Sequence, residues 1–135
     1  MSRKKKEEKN ISTTISASLN GIRRSPRKIR LVTDLIKSKK IQEALDILKY
    51  SSKSSISIFI KKLILSSLSN WNKKYMKKEE FSLNNRSLSN SLYIKNIRVN
   101  QGKTLKRLRP VPQGRGHRIR KRSSNVIIIL DKQNR

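Results

Sequence analysis

The chain has 135 residues, of which 35 are Lys or Arg and 8 are Asp or Glu, giving a formal net charge of +27. Apolar residues make up 33% and aromatics 4%, so one small core is possible and a large one is not. Like charge at this density repels the compact state and does not suit an ordinary metabolic enzyme; it asks for an anionic partner, nucleic acid first and an anionic membrane surface second.

In chain order, residues 1–10 are polar, charged and without period, and are expected to form a disordered basic arm. From Ile11 to Leu19 the residues alternate, with Ile11, Thr13, Ile15, Ala17 and Leu19 on one side and serines and a threonine on the other. This pattern predicts a half-buried strand ended by Asn20-Gly21. Ser25-Pro26 starts a helix: Ser offers a capping oxygen, and Pro fits the first turn, where no N–H is needed. Ile29, Val32 and Ile36 give that helix its stripe, and Ser38-Lys39-Lys40 breaks it. A second short helix covers Ile41 to Leu48, with Ile41, Ala44, Leu45 and Leu48 on one face. A third runs from about Ser54 to Trp71, where Ile56, Ile60, Leu63, Ile64, Leu68 and Trp71 keep the helical period.

Residues 72–91 read as a long polar linker, expected to be a mobile surface loop. Leu92 to Val99 reads as a strand, and so does the β-branched run from Ser123 to Leu130. Between these two lie about two dozen residues with no acid and almost no core material, with Pro110, Pro112, Gly114 and Gly116 at the middle. The arrangement predicts two extended arms meeting at a turn; an arm of ~15 residues at ~3.3 Å each would reach roughly 50 Å. Residues 81–130 hold 12 basic side chains and no acidic one, so the second part of the chain is purely cationic. A ribbon of this composition has no core to hold it, and a partner must offset its ordering entropy. Its arginines suit phosphate oxygens, which their planar forks can meet bidentately.

Other chemistries find little support. Without Cys there are no disulfides, thiolate metal sites or thiol nucleophiles. His117 is the single histidine and has no nucleophile or acid near it in sequence, so a base contact suits it better than catalysis. Glu7-Glu8 and Glu79-Glu80 sit beside lysines and balance surface charge; no metal site or cofactor is expected. Glu43 is placed to offset Lys39 or Lys40. Trp71 lies on the apolar stripe of its helix and is expected in the core, while stacking and packing weigh equally for Tyr93. Gly114-Arg115-Gly116 lacks the strand–loop–helix setting of a phosphate-binding loop. The longest apolar run, Val126–Leu130, is far too short to span a bilayer, and the basic N-terminus is not followed by the apolar stretch of a secretory signal. A soluble intracellular protein is expected.

The run GKTLKRLRPVPQGRGHRIRKRSSNVIIIL, residues 102–130, resembles the long β-hairpin of the bacterial-type ribosomal large-subunit protein L-twenty-two family. SPRKIRLVTDLIKSKKIQEALDILKYSSK resembles that family's first two helices, IKKLILSSLSNW its third, and LYIKNIRVNQG its approach to the hairpin. The likeness runs in order over about residues 15–130. The chain departs from the pattern in its long linker, in Val111-Pro112 where a more basic tip is common, and in Asn125 where a His is common.

The resemblance implies an α+β fold: a small body of three helices packed on a short antiparallel sheet, with a long protruding hairpin. The expected division is one domain over 11–130, with the body at 11–99 and 119–130, the hairpin at about 100–118 and a tail at 131–135. The resemblance also implies a non-enzymatic constituent of the large subunit that binds its rRNA and supports assembly. Its body would sit near the opening of the peptide exit tunnel, and its hairpin tip would line the tunnel wall. On that reading the rRNA-binding residues are Arg23, Arg24, Arg27, Lys28, Arg98, Lys103, Lys106, Arg107, Arg109, Arg115, His117, Arg118, Arg120, Lys121 and Arg122. The tip comprises Arg109, Pro110, Val111, Pro112, Gln113, Gly114 and Arg115. Implied partners are large-subunit rRNA, neighbouring ribosomal proteins and the nascent polypeptide passing the tip, with no membrane and no homo-oligomer. The implied location is the ribosome, cytoplasmic or organellar. Two other readings compete: a freestanding DNA-binding or architectural protein using the two helices at 25–49 and a basic β-arm, and a membrane-surface protein using the basic helix 54–71.

Overall fold

The structure, a computed structural model, describes residues 14–75 and 91–132. In chain order these form β1 (Ile15–Ile22), α1 (Pro26–Ile36), α2 (Ile41–Lys49), α3 (Ser54–Tyr75), β2 (Leu92–Gln101), β3 (Leu105–Val111), β4 (Arg115–Lys121) and β5 (Ser124–Lys132). The α+β expectation holds. β1, β5 and β2 make an antiparallel sheet with β5 in the middle, and β3 and β4 make a separate two-stranded ribbon.

The run that forms β5 explains its central position. Val126, Ile128 and Leu130 are fully buried, and the residues between them are half-buried. The alternation of buried and half-buried positions is that of a strand paired on both edges, with one face packed under the helices and the other only partly covered. Across it, Ile15 and Ala17 of β1 and Ile94 and Val99 of β2 project into the same layer. The helices close that layer from one side with Ile29, Val32 and Ile36, then Ile41, Ala44 and Leu48, then Ile56, Ile60, Leu63, Ile64 and Trp71. Burying an aliphatic side chain of this size contributes about 1.5–3 kcal/mol, so these positions outweigh any single polar contact in the molecule. Trp71 lies in this core as expected, with its ring centroid 4.6 Å from that of Tyr75. The apolar stripe of α3 is therefore spent on packing. Among the described residues no helix is long and apolar enough to cross a membrane.

Several expectations are corrected. β1 does not end at Asn20-Gly21. It continues to Ile22 through a bulge, where the register with β5 shifts and Gly21 takes φ +75°. Glycine reaches that region without steric cost, so the turn signal marks a kink in a strand. The Ser25 side chain makes no capping bond; its backbone carbonyl accepts from the N–H groups of Lys28 and Ile29 instead. α3 extends to Tyr75, so residues 72–75 of the expected linker 72–91 are helical; Ser91 leads into β2, and 76–90 lie outside the described residues. The arm at 1–10 lies outside them as well. Glu43 forms no ion pair with Lys39 or Lys40; among the described residues the ion pair present joins Lys95 to Asp131 at 2.7 Å. That hydrogen bond, more than charge alone, raises the pKa of Lys95.

The hairpin boundaries also move. Asn100 and Gln101 pair with Asn125 and Ser124, so they belong to the body sheet. Ile119, Arg120 and Lys121 pair with Arg107, Lys106 and Leu105, so they belong to the ribbon. Asp131 and Lys132 pair with Tyr93 and Leu92 and are strand, not tail. The ribbon's strands are seven residues each, about 23 Å at ~3.3 Å per residue, shorter than the roughly 50 Å arm expected. Three residues outside the strands at its base, 102–104, account for part of the difference.

The connector between α1 and α2 protects the outer edge of β2. Ser38 N–H donates to the Ile94 carbonyl at 3.1 Å, and Ile94 N–H donates to the Lys39 carbonyl at 3.0 Å. Ser38 adopts φ +61° to make this turn.

No core residue comes from 100–122, and β3 and β4 pair only with each other. Excising 105–121, so that Lys103, Thr104 and Arg122 link Gly102 to Ser123, is expected to leave the body folded. Its denaturant midpoint should change little. Loss of the cooperative unfolding transition would show that the ribbon stabilises the body.

Candidate nucleic-acid interface

The cations of the body cluster where β1 hands over to α1. The bulge at Asn20-Gly21 turns the chain so that Arg23 and Arg24 are exposed before the helix begins. Two side chains of β5 hold this loop. Asn125 Oδ1 accepts from Gly21 N–H at 3.0 Å, and Ser124 Oγ donates to the Arg24 carbonyl at 2.7 Å. Ser124 is fully buried, so its hydroxyl must be satisfied, and this bond satisfies it. The first turn of α1 then carries Arg27 and Lys28, both exposed, and contains no acid. The positive end of the helix therefore adds to these cations, with no carboxylate of its own turn to offset it. Arg30, one turn further along, donates from Nη2 to the Val99 carbonyl at 2.9 Å and fixes α1 against β2.

The ribbon leaves the body at a pinned base. Gly102 N–H donates to the Ser123 carbonyl at 2.8 Å, and Ser123 Oγ donates to the Lys103 carbonyl at 2.6 Å. The two chains run so close here that a Cβ on Gly102 would stand 2.7 Å from Ser123 Oγ and 3.3 Å from the Ser123 carbonyl carbon. Glycine is needed at this position for that approach.

Register then sorts the ribbon into two faces. Leu105, Arg107, Arg109 and Val111 stand opposite Lys121, Ile119, His117 and Arg115 on one face. Lys106, Leu108 and Pro110 stand opposite Arg120, Arg118 and Gly116 on the other. Both faces are thus cationic. All the charged side chains are exposed, and Leu108 is 73% exposed with no body residue to cover it. Leu105 and Ile119, diagonal neighbours on one face, are half-buried. Val111 and Arg115 close the tip around Pro112, Gln113 and Gly114. Gln113 and Gly114 both lie in the left-handed region, at φ +66° and +67°. For glutamine that conformation costs about 1–2 kcal/mol.

The start of α1 and the base of the ribbon enclose a cleft of about 630 Å³, lined by Arg23, Arg24, Ser25, Lys28, Leu105, Arg107, Arg120, Lys121 and Arg122. Seven of the expected site residues meet there, from segments about 80–100 positions apart in sequence. A smaller cleft beside it takes Arg27, Arg30, Gln101 and Arg122. Lys106, Arg107, Leu108 and Arg118 share a shallow groove on the ribbon. Arg109, Arg115 and His117 stand at its far end. Lys103 sits at the pinned base. Arg98 lies apart from all of these, exposed on the sheet opposite Ile127. Among the described residues no carboxylate lines either cleft, and none stands in the ribbon. Among the described residues, no His, Cys, Asp and Glu group is assembled to hold a metal. Such a surface offers phosphate binding and no acid–base chemistry.

Sequence reasoning did not single out Arg30, Gly102, Ser123, Ser124 or Asn125 for these roles. Arg30 was within reach, since it falls one turn after Arg27 on the same helix. The others act through contacts of 20 to 104 residues' separation, which no local pattern encodes.

A protein-family model described as ribosomal protein L22p/L17e matches residues 17–131. The chain belongs to this family. It is 49% identical over 114 residues to the large ribosomal subunit protein uL22 of Flavobacterium johnsoniae, covering 84% of this chain and 77% of the relative. It is 41% identical over 126 residues to uL22 of Bacteroides fragilis, covering 93% and 86%. With uL22 of Porphyromonas gingivalis it shares 43% over 118 residues, covering 87% and 81%. As an L22p/L17e family member the chain is a structural protein of the large ribosomal subunit and not an enzyme.

The pinned base yields a prediction. Gly102→Ala should displace Ser123 and break its bond to the Lys103 carbonyl, at about 1–3 kcal/mol of stability. Urea unfolding measures it; a midpoint equal to the parent's would show that the two strands can separate there without loss.

Proposed function

We propose that this protein binds large-subunit rRNA through the α1 start and both faces of the ribbon, and supports assembly of the subunit. The observation that carries this reading is a ribbon cationic on both faces, free of acids and outside the core. Ordering it requires anions along its length, and folded rRNA supplies phosphates from more than one direction. In this reading Arg23, Arg24, Arg27, Lys28, Lys103, Lys106, Arg107, Arg109, Arg115, Arg118, Arg120, Lys121 and Arg122 meet phosphates. His117 meets a base or phosphate, and Arg98 makes a separate contact from the sheet.

The body stands near the opening of the peptide exit tunnel, and the tip from Arg109 to Arg115 lines the tunnel wall. There the tip faces the nascent polypeptide, and neighbouring ribosomal proteins pack against the body. Family membership supports this placement. The strained tip at Gln113 supports it too, because backbone held in a costly conformation is found where a precise shape is presented. The protein acts as one copy within the ribosome.

Replacing Arg107, Arg109 and Arg118 together by Gln should weaken binding to a folded large-subunit rRNA fragment and flatten its salt dependence. Each lost phosphate contact removes about 0.7–0.9 from the slope of log affinity against log salt, so the triple variant should lose roughly 2–3. An unchanged slope would remove these residues from the interface.

A further inference from the structure

We propose that the cleft between the start of α1 and the base of the ribbon is a discrete site for clustered phosphates. Its ligand is two or more phosphate groups held close together, as in a sharp bend of an RNA backbone or in a free oligophosphate. The physiological ligand, a bent RNA backbone, rests on the rRNA reading above; the cleft's chemistry does not.

Two walls of cations face one another. Arg23, Arg24 and Lys28 stand on the body side, and Arg107, Arg120, Lys121 and Arg122 at the base of the ribbon. Among the described residues no acid lines the space, so none of them relieves the mutual repulsion of these cations. One phosphodiester carries a single negative charge and cannot offset the seven cations that line the cleft. A cluster of phosphates can.

Both walls are held in place. Asn125 and Ser124 tie down the loop that carries Arg23 and Arg24. Ser123 and Gly102 pin the base from which Arg107, Arg120 and Lys121 rise. The cations are therefore gathered before a ligand arrives, which lowers the ordering cost of binding. Leu105, half-buried, gives the lining its one apolar side chain among the described residues. The uncompensated start of α1 points the same way. The rest of the ribbon is different in kind. Its cations stand in rows on open faces, an arrangement for an extended strand.

The test uses the full chain and two variants that each lose three charges: R23Q/R24Q/K28Q in the cleft, and R109Q/R115Q/R118Q toward the tip. Sodium tripolyphosphate and sodium orthophosphate are the probes, at matched ionic strength, with thermal unfolding as the readout. The parent should be stabilised by tripolyphosphate at about tenfold lower concentration than by orthophosphate. The cleft variant should lose that preference, and the tip variant should keep it. R23K/R24K/K28R, which keeps the charges, should restore it and shows that the loss is not misfolding. Equal loss in both triple variants, or no preference in the parent, would overturn the proposal.

A second arm compares a sharply bent rRNA fragment with an extended oligouridine of equal phosphate number. A cleft variant that loses affinity mainly for the bent RNA identifies RNA as the source of the phosphates. If tripolyphosphate discriminates while no RNA does, the cleft stands as a site for free oligophosphates and the rRNA reading fails.

Discussion

Repulsion among the cations of the ribbon and of the α1 start, which among the described residues meet no carboxylate, is the constraint around which this molecule is arranged. Twelve basic residues fall between positions 81 and 130 without one acid among them, and most stand on a two-stranded ribbon exposed on both faces. A packed domain could not hold them, because burying an unpaired charge costs several kcal/mol. The chain keeps them outside the core and gives the ribbon backbone pairing alone. An isolated two-stranded hairpin is marginal in water, so beyond its pinned base the ribbon's order belongs to the complex more than to the free protein.

The body answers this constraint by being self-sufficient. β5 provides a fully buried central strand, the three helices cover one face, and the turn after α1 covers the β2 edge. Small polar side chains then tie the α1 approach and the ribbon base to the sheet. Ser123, Ser124 and Asn125 follow one another at the foot of β5, and each bonds a backbone group of a distant segment. Through them, the strand that organises the core also sets where the α1 cations stand relative to the ribbon. Fold and interface share one element, and the geometry of the binding surface follows from the packing of the sheet.

Much of this was legible in the sequence. The helical stripes of Ile29–Ile36, Ile41–Leu48 and Ile56–Trp71 are core, because long periodic segments leave few alternatives. The cationic hairpin was legible from its lack of acids and its Pro and Gly cluster. What escaped reading depends on pairing. Asn20-Gly21 looks the same as a strand end or as a bulge until β5 lies beside it. The hairpin's limits are set by which residues exchange hydrogen bonds, so Asn100 and Gln101 went to the body sheet, and Ile119 and Arg120 to the ribbon. Ser25 has the right chemistry for a cap, but its side chain makes no capping bond. Glu43 has the right spacing for an ion pair, yet spacing offers a contact without compelling it. The cleft lay furthest from view: its walls are neighbours only after the chain folds.

The central claim is that the body is ordered by its own core and the ribbon by nucleic acid. Amide hydrogen exchange on the full-length protein, free and bound to a folded large-subunit rRNA fragment, tests it most directly. The account predicts that the amides of Val126–Leu130 are protected in both states, while those of Leu108–Arg118, beyond the pinned base, exchange rapidly when free and become protected on binding. Ribbon amides as protected in the free protein as those of β5 would contradict it, because the ribbon would then need no partner.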